Sequence, residues 1–303
     1  MGIQKCSGEP QAGSLNPRRN PVWIQNSRKK IRYFRQANQP KYASIILAGG
    51  VFAGRRARTL GVTLVAFRAV TYNIHKARGL DGRTRIDRIA RVLAELEPDI
   101  IALQEVVRVR DIAPAHDQAG WLHTLLPRFF LAFGENRTYR GGAYGNAILS
   151  RFKIVKSENY DLTWRGRERR GCLRADVQIK GCEGLHVFNV HLGTAFLERR
   201  HQGRLLTSAS VLGRGVTGPQ LMLGDFNEWT RGLATRLLSV HFGSLHPKLL
   251  LRRARSYPGV LPVLHLDHIY YDNSLQLERM FVHRSRTALV ASDHLPLVAD
   301  FRI

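Results

Sequence analysis

The sequence is poor in cysteine and has no long apolar run. Its three cysteines, Cys6, Cys172 and Cys182, lack the spacing of a metal-binding pair and are typical of a protein in a reducing compartment. The apolar stretch at residues 43–54 is shorter than the roughly 20 residues that a membrane-spanning helix needs. A disulfide scaffold, a thiolate zinc site and a transmembrane helix are therefore not expected.

Acidic residues are also scarce, above all near the N-terminus. The chain has 47 Lys and Arg against 23 Asp and Glu, which gives a net charge of +24 and a pI of about 11.0. Attraction to polyanions such as nucleic acid or an anionic membrane is therefore expected. Residues 1–64 contribute +11 of this charge, with Glu9 as their single acid. We expect residues 1–61 to form a basic, disordered leader and residues 62–303 to form one catalytic domain.

The apolar stretch at residues 43–54 also resembles the core of a signal peptide, with Val51 and Ala53 before a cleavage point. The long segment upstream of it and the three arginines at residues 55–58 argue against export. We therefore expect a monomeric cytoplasmic protein that can contact a membrane peripherally, and we keep export as the less favoured alternative.

The segments after the leader alternate between strand and helix patterns. A β-rich run covers residues 62–72, apolar residues recur at helical spacing from Ile86 to Leu96, and residues 100–103 form a short apolar run. Thr84 and Asp87 predict a capping box at the start of the helix. This order of strand, helix and strand predicts an α/β fold.

Residues 221–228 place polar side chains at the end of a predicted strand. Three apolar residues precede Gly224, which permits a sharp turn, and Asp225 and Asn227 then point to the same side of an extended chain. A carboxylate and an amide in this position could bind one oxygen-rich ligand. An ordinary turn is the simpler interpretation, because both residue types are common in turns.

The same arrangement recurs along the chain. Seven polar side chains stand at predicted strand ends or in the adjoining turns: Asn73, Glu105, His191, Asp225, Asn227, Asp267 and His294. Strand ends at one edge of a sheet converge, so these side chains are expected to line one cleft, although each alone is compatible with a structural role. Glu105 and Asn73 offer the hard oxygen donors that Mg²⁺ or Mn²⁺ prefers. Arg170 lies in a basic loop, where it could be solvated or bind a phosphate.

Six segments resemble, in order, the endonuclease/exonuclease/phosphatase superfamily, which includes deoxyribonuclease I. They are residues 71–75, 101–106, 145–150, 189–193, 224–227 and 292–296, within a region that covers about residues 66–303. The resemblance implies a four-layered α/β sandwich, in which helices flank two packed mixed β-sheets. It also implies hydrolysis of phosphoester bonds that depends on Mg²⁺ or Mn²⁺.

The resemblance assigns metal and water chemistry to five residues. Asn73 and Glu105 would hold the metal, and Asp293 would assist there or orient its loop. Asp225 would orient or deprotonate the attacking water, and Asn227 would hydrogen-bond a phosphate oxygen. A bound cation together with fixed donors can offset the charge that builds on phosphoryl oxygens.

It assigns roles at the phosphate to three more. His294 would stabilise the pentacovalent phosphorus or relay a proton, with Asp267 fixing its tautomer, and His191 would bind the phosphate from the opposite side. Apart from the resemblance, we expect Arg170 and Asn146 to contact the substrate phosphate. An imidazole paired with an aspartate can stay protonated near neutral pH, which fits the role of His294.

The resemblance leaves the substrate open. Members that cut abasic DNA generally carry a tyrosine where this chain has His191, so the pattern is closer to the deoxyribonuclease I, sphingomyelinase and lipid-remodelling branches. We expect a phosphodiester in nucleic acid or in a phospholipid headgroup, and an enzyme similar to the GPI-remodelling proteins at a membrane is an alternative. A non-catalytic polyanion-binding module is less favoured because every expected catalytic position is filled.

Overall fold

The computed structural model describes residues 65–109, 116–182, 184–213, 216–230, 232–242 and 255–303. The strands in these residues are β1 (Ala66–Asn73), β2 (Ile100–Arg108), β3 (Phe130–Tyr139), β4 (Gly142–Ser150), β5 (Lys153–Asp161), β6 (Gly171–Gln178), β7 (Leu185–His191), β8 (Gln220–Asp225), β9 (Asp267–Tyr271), β10 (Gln276–Val282) and β11 (Leu297–Arg302). The helices are α1 (Ile86–Leu96), α2 (Gln118–Leu125), α3 (Phe196–Leu206), α4 (Leu233–Phe242) and α5 (Arg286–Ala291). The first sheet has the strand order β10-β11-β1-β2-β4-β3 and the second the order β5-β6-β7-β8-β9.

The two sheets pack face to face, with helices on their outer faces. Phe67 and Leu297 of the first sheet lie in one buried cluster with Leu185 and Leu223 of the second. Helices α1, α2 and α5 pack against the other face of the first sheet, and α3 and α4 pack against the second. Apolar surface removed from water on both faces of each sheet drives this layering. The predicted four-layered α/β sandwich of two mixed sheets is confirmed.

Parallel strand pairs bring the polar strand ends together. In the first sheet β1 and β2 are parallel, and Asn73 pairs with Gln104, one residue before Glu105. In the second sheet β7 and β8 are parallel and pair His191 with Asp225, while antiparallel β9 sets Asp267 opposite Asp225. The register of the second sheet alone therefore places three polar side chains side by side.

Buried amides tie the two sheets together beneath these strand ends. Asn189 of β7 donates hydrogen bonds to the carbonyl oxygens of Leu103 and Ala147 in the first sheet, both at 2.8 Å. Its own side-chain oxygen accepts a 2.7 Å hydrogen bond from Gln104 of β2. Buried polar groups are costly unless paired, so this network favours a single alignment of the two sheets.

Several local predictions were wrong. Helix α1 begins after Arg85, and the predicted capping box is absent because no side chain caps this N-terminus. Gly224 lies inside β8 instead of in a turn, and a Cβ there would come within 1.9 Å of the Val190 carbonyl oxygen. The close approach of β7 and β8, more than turn formation, therefore requires glycine at this position.

Strands β3, β5 and β10 are among the elements that were not predicted from the sequence. Strand β5 is an edge strand with mostly exposed side chains, so it lacks the alternation of apolar and polar residues that marks a half-buried strand. The predicted leader at residues 1–61 lies outside the described residues. Among the described residues, no helix is both long enough and apolar enough to cross a membrane.

We predict that Asn189→Ala lowers the free energy of unfolding by about 2–4 kcal/mol, since it removes the three buried hydrogen bonds that its side chain makes with β2 and β4 of the first sheet. Chemical denaturation monitored by circular dichroism measures this change. Asn159→Ala is the matched control, because this exposed amide of β5 donates one 2.8 Å hydrogen bond to the Glu135 carbonyl. Equal destabilisation by the two substitutions would show that the buried network has no special role.

Candidate active site

The carboxylate of Asp225 lies at the centre of the polar cluster. Its Oδ2 atom accepts a 3.0 Å hydrogen bond from the Asn73 amide and lies 3.7 Å from Nε2 of His191 and 3.6 Å from Nε2 of His294. Its Oδ1 accepts a 2.9 Å hydrogen bond from the backbone N–H of Asn227. Side chains from both sheets and from the loop before β11 therefore meet at one buried carboxylate.

Glu105 joins this cluster through a distortion of strand β2. The register between β2 and β4 shifts between Leu103 and Val106, and Glu105 has a left-handed φ of 58°. Such a bulge redirects a side chain that regular pleating would point elsewhere. As a result, Glu105 Oε1 accepts a 3.2 Å hydrogen bond from Asn73, and its Oε2 lies 2.7 Å from the ammonium of Lys76.

Nearby positive charge keeps Glu105 ionised. Burial is the largest single effect and raises the pKa of its carboxyl group, but several other effects together lower that pKa more, beginning with His191, which is protonated in the acidic range where Glu105 titrates. The charge and hydrogen bond of Lys76 lower it further, and the resulting pKa is about 2. Glu105 is therefore a carboxylate at every physiological pH.

Lys76 was not identified from the sequence. It lies in a short turn in which His75, Lys76 and Ala77 have left-handed φ angles of 46°, 57° and 55°. Each such residue costs roughly 1–2 kcal/mol, so surrounding contacts must hold the turn in place. One of them is the 2.6 Å hydrogen bond from the Gln118 side chain to the Lys76 carbonyl. The sequence could not identify Lys76, because a single lysine near a predicted strand end is usually a solvated surface side chain.

His294 is held as a buried imidazolium. Its Nδ1 donates to Asp267 Oδ2 at 2.9 Å, and the Tyr257 ring lies 4.8 Å from its ring. Burial lowers the pKa of His294, but the Asp267 and Asp225 carboxylates raise it more, to about 10. The Ser256 hydroxyl also donates to Asp267 Oδ2. Ser256 and Tyr257 were not predicted, because only the folded chain brings them next to His294.

His191 has the opposite protonation state. Burial lowers its pKa first and the Arg170 guanidinium lowers it further, to about 4, despite the nearby carboxylates. Nη1 of Arg170 lies 3.1 and 3.2 Å from the two ring nitrogens of His191, so it donates to an unprotonated nitrogen. Arg170 is itself buried and paired with Glu168 at 2.9 Å, so the solvated alternative for this side chain is wrong.

The remaining predicted residues surround this centre at different depths. Asn227 donates its amide to the Leu192 carbonyl at 2.9 Å. Asn146 is fully buried and donates to the Gly171 carbonyl at 3.0 Å, and its side-chain oxygen has no hydrogen-bond partner among the described residues. Asp293 is partly exposed and lies 3.6 Å from the His75 ring.

The loop before β11 is fastened directly to β1. Ser292, a further residue that was not identified from the sequence, donates its hydroxyl to the Asn73 carbonyl at 2.8 Å and also contacts Asp293 Oδ1 at 3.3 Å. This bond holds the segment that carries His294 beside the end of β1. The polar cluster therefore contains an anionic Glu105, a neutral His191 and a cationic His294 over the pH range between about 4 and 10.

We predict that Asp267→Asn lowers the pKa of His294 from about 10 towards its ordinary value of 6.5, because the largest stabilising negative charge is removed. Titration of the His294 ring by NMR in metal-free protein measures the shift. In the wild type, the ion pair between Asp267 and His294 should contribute its full stabilisation below pH 6.5, the ordinary pKa of histidine. This contribution should be lost as the pH rises through about 10, the pKa of His294 in the folded protein. The control is Asp272→Asn, just beyond the other end of β9, which should leave the pKa of His294 unchanged. An unshifted His294 pKa in Asp267→Asn would contradict the prediction.

Known proteins share this architecture and these segments. The Endonuclease/Exonuclease/phosphatase family profile matches residues 70–294. YbhP of Escherichia coli (strain K12) is 32% identical over 251 residues, which cover 78% of this chain and 97% of YbhP. The crystal structure of an endonuclease/exonuclease/phosphatase from Beutenbergia cavernae has a TM-score of 0.63 at 23% identity and covers 78% of this chain and 72% of its own. The Bacteroides thetaiotaomicron mannosyl-6-phosphatase Bt3783 has a TM-score of 0.61 at 18% identity, with coverages of 78% and 99%. The chain belongs to the endonuclease/exonuclease/phosphatase family, whose members are phosphoester hydrolases.

Proposed function

We propose that the protein is a divalent-metal-dependent phosphodiester hydrolase. One observation carries the proposal: the buried Asp225 carboxylate lies between a neutral His191 at 3.7 Å and a cationic His294 at 3.6 Å. A general base beside a fixed positive charge matches the demands of water attack on phosphorus, in which a proton leaves and negative charge builds on oxygen. A module that only bound polyanions would have no need of a buried carboxylate at this point.

The residues divide the reaction between them. Asp225 would orient the attacking water and accept its proton as the new P–O bond forms and the ester P–O bond breaks. The leaving oxygen would keep the electron pair of the broken bond and take a proton from water. His294 would place its Nε2–H against the oxygen that gains charge, and Asp267 would keep that imidazole protonated and oriented. Asn227 and His191 would hold the other phosphate oxygens, with His191 donating from one ring nitrogen while the other accepts from Arg170.

The donors near Glu105 fit Mg²⁺ or Mn²⁺. Glu105 is ionised, and carboxylate and amide oxygens are the ligands that these hard cations accept. Asn73 would contribute its side-chain oxygen, which here accepts a hydrogen bond from the His75 N–H, and Asp293 would assist from the rim. A bound cation would supply Lewis-acid stabilisation of the phosphoryl oxygens.

A second group of metal-type side chains is a weaker cation site. Ligand atoms of Asp225, Asp267 and His294 lie within 4.8 Å of one another. The pKa of about 10 keeps His294 protonated, and an imidazolium has no lone pair for a metal. In this proposal these three residues therefore carry proton chemistry, and Glu105 is the principal metal ligand.

We predict Mg²⁺- or Mn²⁺-dependent hydrolysis of bis(p-nitrophenyl) phosphate that EDTA abolishes and added metal restores. Asp225→Asn should lower the rate by about 10²–10⁴-fold because the general base is removed. Release of p-nitrophenol measures the rate. Glu158→Gln alters an exposed carboxylate on β5 and is the matched control, which should retain the wild-type rate. Metal-independent turnover, or an Asp225→Asn enzyme as fast as the control, would refute the assignment.

We also propose that residues 62–303 form the complete catalytic domain, since every proposed site residue lies within them. Deletion of residues 1–58 should therefore leave kcat and KM for bis(p-nitrophenyl) phosphate unchanged. Steady-state kinetics of the full and shortened chains, with equal folded content by circular dichroism, make the comparison. A marked loss of kcat in a folded shortened chain would place part of the machinery in the leader.

A further inference from the structure

Exposed apolar side chains concentrate beside the candidate active site. Half of the twelve large hydrophobic residues that are exposed in the described part of the chain lie on three segments next to site residues. These six are Phe196, Leu197, Trp229, Val260, Leu261 and Val263, and each side chain is at least half exposed. Single exposed apolar residues need no explanation, but grouping around a functional cleft marks an interaction surface.

Three of these side chains lie on segments that directly follow strands β7 and β8, close in sequence to His191 and Asn227. Phe196 and Leu197 begin helix α3, shortly after His191 ends β7, and Trp229 follows Asn227 by two residues. Arg199 of helix α3 links Trp229 to the loop after β7, because its guanidinium lies 5.3 Å from the Trp229 ring and donates to the Gly193 carbonyl at 3.3 Å. The Trp229 side chain is therefore held in place by contacts to helix α3 and to the loop that follows β7.

The other three lie on a hairpin beside His294. Tyr257 and Leu264 pair across its base, and the Tyr257 ring contacts the His294 ring. The Gly259 N–H donates to the Asp293 carbonyl at 2.7 Å, so the tip with Val260 and Leu261 is anchored directly to the catalytic loop. Both apolar groups are therefore attached to segments that carry the reacting side chains.

Basic residues accompany both groups. Arg165, Arg167 and Arg169 are exposed on the loop that leads to Arg170. On the hairpin side, Arg284 is exposed and donates to the Val260 carbonyl at 3.4 Å. Apolar side chains among arginines are the pattern of proteins that insert shallowly into an anionic bilayer while their cations contact lipid phosphates.

We propose that this face docks on an anionic phospholipid bilayer, with Trp229 and the Val260–Leu261 tip inserted, and that the substrate is the headgroup phosphodiester of a membrane lipid. The inference rests on the proposed hydrolase function and adds its substrate class. A nucleic acid is the weaker match, because bases stack on aromatic rings and guanidinium groups, whereas the aliphatic tip at Val260, Leu261 and Val263 offers no stacking surface.

The test measures binding of the full-length protein to vesicles of phosphatidylglycerol mixed with phosphatidylcholine. The double variant Val260→Ser/Leu261→Ser should bind these vesicles about tenfold more weakly, because it removes apolar surface that would be buried in the membrane. Its rate on bis(p-nitrophenyl) phosphate should equal that of the wild type. The matched control is Val155→Ser/Val240→Ser, which removes two exposed valines on β5 and α4.

Brominated lipids quench the fluorescence of a tryptophan only when its ring lies in or next to the bilayer. They therefore report insertion of Trp229 separately from membrane binding through other basic segments. Their quenching of tryptophan fluorescence should fall in Trp229→Phe relative to the wild type. Hydrolysis of vesicle phosphatidylglycerol should decrease in the double variant in step with its vesicle binding.

Vesicle binding that is equal in the double variant and the control, with quenching unaffected by Trp229→Phe, would overturn the docking surface. Loss of single-stranded DNA binding in the double variant, without vesicle binding by the wild type, would replace the bilayer by a nucleic acid. Failure of the wild type to hydrolyse bis(p-nitrophenyl) phosphate would instead reject the proposed function, so the two failures are distinguishable.

Discussion

The buried carboxylate of Asp225 is the constraint on which the rest of the site depends. An ionised carboxylate removed from water costs several kcal/mol unless donors and positive charge surround it. Here the donors come from the ends of β1 and β8 and from the loop before β11. The same contacts that would prepare Asp225 for proton transfer therefore also help to hold the two sheets and this loop in one arrangement.

Two histidines beside Asp225 differ in protonation state because their neighbours differ, although the residue type is the same. Both are buried, and burial alone lowers the pKa of each. His191 faces the Arg170 guanidinium and stays neutral, whereas His294 faces Asp267 and stays protonated. A difference of several pH units between two neighbouring imidazoles would let His191 act as a neutral phosphate ligand and His294 as a fixed cation in the proposed hydrolysis.

Backbone strain and surface chemistry are concentrated at the same end of the molecule. Glu105, Asn227 and the turn at residues 75–77 all have left-handed φ angles that ordinary residues avoid, and all adjoin the cleft. The exposed apolar tips belong to segments anchored to this strained region, so a bilayer that held them would also orient the cleft towards lipid headgroups. The net charge of +24 then acts over a longer range, by drawing the protein towards an anionic surface.

The sequence by itself predicted an α/β fold and identified the strand-end residues, because strand ends and hydrophobic periodicity are local properties of the chain. The two-sheet sandwich was expected only from the resemblance of six segments to a known family. It did not reveal the exposed edge strand β5, whose side chains carry no core-facing alternation. Lys76, Ser256, Tyr257 and Ser292 also escaped notice, since each acts through a contact with a residue distant in sequence or through an unusual backbone conformation. Only the tertiary structure decided the charge states of His191 and His294, because a pKa depends on which charges lie within a few ångströms in space and on how much water the fold excludes.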